Sequence, residues 1–151
     1  MNLPKNFPIT DMSFLMILIP QCPPFVMVDS LMSYHEKGVV GALTVCENNI
    51  FVEGTTQVFQ ASGLIEHMAQ SVALYTGYQC YLKDEGNPIG YIGALKNIEI
   101  KRLPKVGEQI LTTVEILQDF MGVTLVSVRS EVAGVEIAIG EMKTVVPQET
   151  V

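Results

Sequence analysis

Glu66, with Ser62 one helical turn before it and Gln70 one turn after, is the group of residues in this chain best suited to chemistry. A carboxyl group can carry a proton, and a neighbouring amide can help shape its site. The spacing of four residues puts all three on one edge of a helix. That edge continues through Ala73 and Gly77, with Ala69 beside it, so small residues line it and another backbone can approach closely. A carboxylate on a helix is ordinarily solvated. A helix this apolar, laid down on its small side, makes Glu66 more than an ordinary surface charge.

The remaining chemistry-bearing residues are scattered. His67 follows Glu66 directly, so its side chain leaves the helix about 100° away, toward Ser71 and Leu74. It reads as a structural or dimer-interface histidine. His35 sits in a turn beside Glu36 and Lys37 and reads as solvated surface. Cys22, Cys46 and Cys80 are odd in number and match no metal or redox spacing, which predicts small buried side chains in a reducing compartment. No metal and no cofactor are expected. The net charge of −7 argues against nucleic acid as a partner, because that would require a basic face. Yet Lys96, Lys101, Arg102 and Lys105 place four of the nine cations within ten consecutive residues. Such a cluster is either a solvated strand edge or a docking patch for something acidic.

The elements that must position these groups follow from the hydrophobic pattern. Residues 56–82 form the longest proline-free segment with a helical period, with Ile65, Met68, Ala69, Val72, Ala73 and Thr76 at core-facing spacing. Residues 12–19 predict a short helix capped by Thr10 or Asp11 and stopped at Pro20. That run is too short to span a bilayer, and Asp11 stands where a signal peptide would be basic, so a cytoplasmic protein without a membrane segment is expected. Residues 25–34 and 39–46 predict two strands around a turn at 35–38. A polar loop at 47–55 leads into the long helix.

A breaker-rich loop at 83–88 follows that helix. Residues 90–100, 108–117, 123–132 and 135–146 then change to a period of two and predict four strands. Their separators, 104–107, 119–122 and 133–134, are short enough for antiparallel neighbours. With 48% hydrophobic and 17% charged residues, the chain fits a single domain over residues 1–151. One long helix is available to cover the apolar face of six antiparallel strands. The predicted class is therefore α+β, a curved sheet wrapped around a central helix.

Three segments resemble one family in order. Ile19-Pro20-Gln21-Cys22-Pro23-Pro24-Phe25-Val26-Met27-Val28-Asp29 is similar to the opening L-P-H-R-Y-P-F-L-L-V-D of the FabZ-type 3-hydroxyacyl-ACP dehydratases. Ile65-Glu66-His67-Met68-Ala69-Gln70 resembles their helix signature I-E-A-M-A-Q. Residues 97–102, followed by Val106-Gly107-Glu108-Gln109-Ile110, resemble their third strand and its P-G-D-Q-L turn. The chain is identified with this FabZ/FabA-like hot-dog family, and in particular with the divergent ApeP-like group of aryl-polyene and related pathways.

The resemblance implies a hot-dog fold and elimination of water from a 3-hydroxyacyl thioester borne by acyl carrier protein or CoA. It implies Glu66 as the catalytic acid, with Gln70 shaping the substrate site and Ser62 and Gly63 offering N–H groups to the thioester oxygen. It also implies carrier-protein docking on Lys101, Arg102 and Lys105, and a homodimer or a heterodimer with another hot-dog subunit. The family's catalytic histidine has no counterpart, because residues 47–66 contain none. That loss implies need of a histidine-bearing partner. Two rival functions follow: a thioesterase using Glu66 alone, or a non-catalytic hot-dog subunit.

Overall fold

Asp11 opens the architecture. Its Oδ1 accepts hydrogen bonds from the backbone N–H groups of Ser13 (2.9 Å) and Phe14 (3.4 Å), capping α1, Met12–Leu18. The structure is a computed structural model that describes residues 6–87 and 89–147. A hairpin follows α1, with β1 at Ser30–His35 and β2 at Gly38–Thr44. Two minimal strands come next, β3 at Val52–Glu53 and β4 at Val58–Phe59. The long helix α2 spans Ala61–Leu82. Four strands complete the chain: β5 Tyr91–Ile100, β6 Gln109–Phe120, β7 Val123–Val132 and β8 Val135–Val145.

The main sheet has six strands in the order β1-β2-β6-β7-β8-β5, every neighbouring pair antiparallel. Alternation along β6 shows how the sheet makes its core: Ile110, Thr112 and Val114 turn inward and are buried, while Gln109 and Glu115 are exposed. α2 packs across β2, β6 and β7. Its buried side includes Leu64, Met68, Val72 and Leu74, which join Val39, Val126, Val128 and Met142 of the sheet in one cluster. This is the α+β hot-dog arrangement that the pattern and the resemblance imply.

The two edges of the sheet differ. Beside β1 the chain's own N-terminal segment pairs through Ile9, whose N–H donates to Leu31 O (2.8 Å) and whose carbonyl accepts from Leu31 N–H (2.9 Å). Beside β5 no described strand pairs. That strand carries exposed Tyr91, Ile92 and Leu95.

Three expected boundaries move by three residues or more. The first expected strand begins at Ser30 rather than residue 25, because the N–H of Met27 and the carbonyl of Phe25 are bonded by a side chain of α2 and not by a strand. The long helix begins at Ala61 rather than residue 56, because Phe59 N–H donates to Pro104 O (2.8 Å) and Val58 bridges Lys105. β6 runs to Phe120, beyond the expected end at residue 117. The left-handed φ values of Met121 (52°) and Gly122 (79°) make the connection to β7 two residues long, as in a primed hairpin turn.

The cysteine expectation is corrected for two of three: Cys22 and Cys46 are exposed, and Cys80 alone is buried. His35 is exposed as expected, its Nδ1 accepting from the N–H of Lys37 (3.1 Å). No helix among the described residues is long and apolar enough to cross a membrane.

Candidate functional site

The first turn of α2 begins without a side-chain cap and lies under the β3–β4 hairpin. Gln60 occupies the N-cap position but gives no side-chain cap. The first intrahelical bond runs from Leu64 N–H to Gln60 O (3.1 Å), so Ser62 and Gly63 lie in the turn whose N–H groups have no helical acceptor. Ser62 is exposed and Gly63 is buried. The β3–β4 hairpin closes over this turn. A Cβ at Gly63 would lie 2.5 Å from Phe51 Cβ and 2.8 Å from Phe59 Cε2, so only glycine fits. The hairpin is tied off by Glu53, whose carboxylate accepts from Thr56 N–H and Thr56 Oγ1, both at 2.6 Å. Those bonds, the hydroxyl's foremost, hold the Glu53 pKa down at about 2.

One turn further along α2, Glu66 is half-buried. Its Oε1 accepts from Gln70 Nε2 at 2.8 Å. Gln70 is fully buried and also reaches two backbone groups: its Oε1 accepts from Met27 N–H (2.6 Å), and its Nε2 donates to Phe25 O (2.7 Å). Both amide protons of Gln70 are therefore spent inside the protein. Gln70, expected to shape the substrate site, holds Glu66 and the 25–27 segment.

His67 grips the same segment from the next position on the helix. Its Nδ1 lies 2.7 Å from Met27 O and its Nε2 lies 2.8 Å from Thr112 Oγ1, which in turn lies 2.6 Å from Ser130 Oγ. The acceptor carbonyl requires Nδ1 to carry the proton, which leaves Nε2 to accept from the threonine hydroxyl. Complete burial pushes the His67 pKa down to about 4, against a smaller opposing effect of the bond to Met27. His67 is thus a neutral part of the core, as the structural reading has it. Its bonds face the 25–27 segment and the sheet. With His35 at the distant β1–β2 turn, neither histidine pairs with Glu66 in this chain.

The small flank beyond Glu66 divides in two. At Gly77 another backbone does approach closely: a Cβ there would lie 2.0 Å from Leu18 O of α1. At Ala69, Ala73 and Thr76 the flank stands away from its surroundings and walls a cavity of about 80 Å³. Leu18, Pro20 and Gln21 form a second wall, and Tyr91 of β5 and Thr144 of β8 close it. The cavity begins one turn past Glu66.

Two of the four cations in the basic cluster are paired. Lys101 makes an ion pair with Glu136, and Arg102 Nη1 lies 2.8 Å from Glu108 Oε2. The same carboxylate accepts from the backbone N–H of Lys105 at 3.0 Å. Arg102 and these bonds hold the Glu108 carboxyl below its usual range. Sequence spacing displayed the cations but not the carboxylates that β6 and β8 bring beside them.

A single long helix inside a curved antiparallel sheet, with one carboxyl group near its N-terminal end, defines a hot-dog protein. The ApeP-like family, described as ApeP dehydratase, matches residues 15–151, and the chain belongs to that family. Among individual proteins, the chain is 28% identical over 145 residues to the 3-hydroxyacyl-[acyl-carrier-protein] dehydratase FabZ of Nitrosospira multiformis, covering 93% of this chain and 99% of that one. It is 27% identical over 135 residues to the FabZ of Haemophilus ducreyi, covering 87% and 85%.

Its fold is similar to a chain of the dehydratase heterocomplex ApeI:P from Xenorhabdus doucetiae, with a TM-score of 0.83 at 15% identity over 89% of this chain and 91% of that one. A hypothetical thioesterase of Streptococcus pneumoniae with coenzyme A is similar at a TM-score of 0.59 and 11% identity, covering 79% and 85%.

Proposed function

We propose that this chain is the glutamate-bearing subunit of a 3-hydroxyacyl-carrier-protein dehydratase whose base comes from a second hot-dog subunit. One observation carries the reading: Glu66 is held in place near the helix start, while both histidines of the chain are committed elsewhere. Membership in the ApeP-like family and similarity to FabZ dehydratases support the reaction class. Likeness of fold to a chain of a dehydratase heterocomplex supports the division of labour.

In this reading the thioester carbonyl accepts from N–H groups at Ser62 and Gly63, where the helix dipole favours negative charge. A histidine of the partner subunit removes the α-proton, and the C–H electron pair moves toward that carbonyl oxygen. The pair then returns to form the α,β double bond as the β-hydroxyl leaves. The leaving hydroxyl takes its proton from Glu66 and departs as water. Gln70 donates to Oε1 of Glu66, which leaves Oε2 to carry the transferred proton. Gln70 acts through Glu66 and is a positioning residue.

The bare edge of β5, with exposed Tyr91, Ile92 and Leu95, is where the second subunit would join the sheet. The acyl group is brought by carrier protein or CoA in the cytoplasm, for fatty-acid-like or aryl-polyene synthesis. Carrier docking falls to Lys105 with Lys101 and Arg102, the last two in competition with Glu136 and Glu108.

The test uses the purified chain, alone and mixed with a histidine-bearing hot-dog subunit from the same genome. Each sample receives 3-hydroxyacyl- and saturated acyl-carrier protein, and enoyl product and free thiol are followed. The expected result is enoyl product at enzymatic rates, about 1–10³ s⁻¹, from the mixture only. Such rates from the chain alone would refute the shared site. Free thiol from the saturated thioester would instead establish the thioesterase reading, which the lone carboxyl group and the likeness of fold to a thioesterase favour.

A further inference from the structure

Residues 25–27 meet α2 before the chain enters the sheet. At Asp29 the backbone N–H donates to Ala42 O of β2 (2.9 Å), and β1 starts at Ser30. Upstream of that point, side chains of α2 take the place of a neighbouring strand. Phe25 O accepts from Gln70 Nε2, Met27 N–H donates to Gln70 Oε1, and Met27 O lies 2.7 Å from His67 Nδ1. Buried Met27 is thus held at both of its backbone groups. A backbone N–H only donates and a carbonyl only accepts, so this segment dictates which way the Gln70 amide faces. Its oxygen meets Met27, and its nitrogen is left for Phe25 and Glu66. Reversed, the amide would turn its oxygen to the Glu66 carboxyl group and lose all three bonds.

We propose that His67 is a positioning residue for the elimination: by holding the Met27 carbonyl it fixes the 25–27 segment, which orients Gln70 and through it Glu66. The inference rests on the dehydratase reading above and adds to it a residue that never meets substrate. The two bonds of the His67 ring divide its duties. The bond to Met27 O leads toward Glu66. The bond to Thr112 Oγ1, itself 2.6 Å from Ser130 Oγ, leads into the sheet and anchors the ring. Without the first bond, Met27 is held from one side only and its N–H is free to drift from Gln70. Glu66 then loses the donor fixed on its Oε1, and the proton it must deliver is no longer confined to Oε2.

Amide side chains separate the two bonds. In His67→Asn the amide nitrogen falls where Nδ1 stood and keeps the Met27 bond. In His67→Gln it falls where Nε2 stood and keeps only the Thr112 side. Two measurements test the proposal: steady-state kinetics of the mixed complex, and NMR hydrogen exchange of the Gln70 side-chain amide, whose nitrogen donates to both Phe25 and Glu66. His67→Gln should lower kcat about tenfold, the worth of one hydrogen bond, with KM unchanged and faster amide exchange. His67→Asn should recover most of the rate and the slow exchange. Thr112→Val should lower the melting temperature yet leave kcat and exchange as in wild type.

Wild-type kcat or wild-type exchange in His67→Gln would overturn the proposal. So would a rate that follows melting temperature across all three variants, the mark of a purely structural residue. Should His67→Gln not fold, His67→Asn carries the test: fast exchange or a tenfold loss of kcat there, with the Met27 bond kept, would overturn the proposal, and wild-type behaviour would uphold it. A wild-type mixture without turnover would overturn the dehydratase reading and the catalytic role of His67 together. Slow exchange in wild type and fast exchange in His67→Gln would then show that the clamp itself stands, which separates the two failures.

Discussion

Glu66→Gln should cut dehydration in the mixed complex by about 10²–10⁴-fold, the usual range for a removed general acid. The amide oxygen can still accept from Gln70, so the melting temperature should stay within a few degrees; unfolding of this variant would recast Glu66 as a structural carboxylate. His67 makes a different prediction, about pH. The folded chain holds it neutral down to about 4, whereas its ordinary pKa is 6.5. Between those values the unfolded chain binds more protons, so this contribution to stability is complete above about pH 6.5 and is lost as pH falls toward 4. By about pH 4 the loss amounts to about 3 kcal/mol. Urea melts across this range should show a steeper acid loss for wild type than for His67→Gln; equal slopes would show that His67 does not drive it. Glu66 was legible from its helix edge and from the I-E-x-M-A-Q pattern. The clamp of Gln70 on Phe25 and Met27 was not, because it joins residues 45 and 43 positions apart that no local period connects.

At the scale of elements, Gly77 is the point where α1 and α2 meet backbone to backbone. Gly77→Ala would place a methyl 2.0 Å from Leu18 O, and a carbonyl cannot yield as a side chain can. The expected cost is about 1–3 kcal/mol, or several degrees in melting temperature; an unchanged melt would mean that α1 is free to shift. Sequence periodicity placed both helices and all six strands of the main sheet, but not every face. Of the α2 residues expected to face the core, Met68 and Val72 are buried, while Ile65, Ala69, Ala73 and Thr76 are only half-buried. β5 buries none of its residues. Periodicity missed β3 and β4, since two-residue strands have no period to show. They pair with each other, and β4 is further anchored at Pro104 and Lys105, about 46 residues further along the chain. The same distance effect moved the helix start to Ala61. The Ala133-Gly134 turn was legible for the opposite reason, since its two left-handed residues, φ 50° and 79°, are a local requirement.

For the whole molecule, the unlike edges of the sheet predict its assembly. Ile9 covers one edge, and β5 leaves the other open with apolar residues exposed. Light scattering should find a dimer, and a monomer at micromolar concentration would refute this. Leu95→Asp together with Ile92→Asp, both on the bare edge strand, should shift the equilibrium toward monomer and abolish activity of the mixture while far-ultraviolet circular dichroism stays unchanged. Loss of the sheet signal would make those residues part of the core instead. The order of elements announced this fold, but which edge is covered depends on a single bridge between Ile9 and Leu31, and sequence gives no sign of it.

If the proposed pairing through β5 holds, that edge is monovalent: through it the chain can close a pair but cannot extend a ribbon. Self-pairing and pairing with a different subunit then exclude each other at the same strand. On that reading the yield of mixed pairs would be a matter of stoichiometry: surplus copies of this chain would drain into idle like-with-like pairs, and scarcity of them would leave the other subunit without its acid. Balanced synthesis of the two would be the controlling variable, set by supply and not by any ligand.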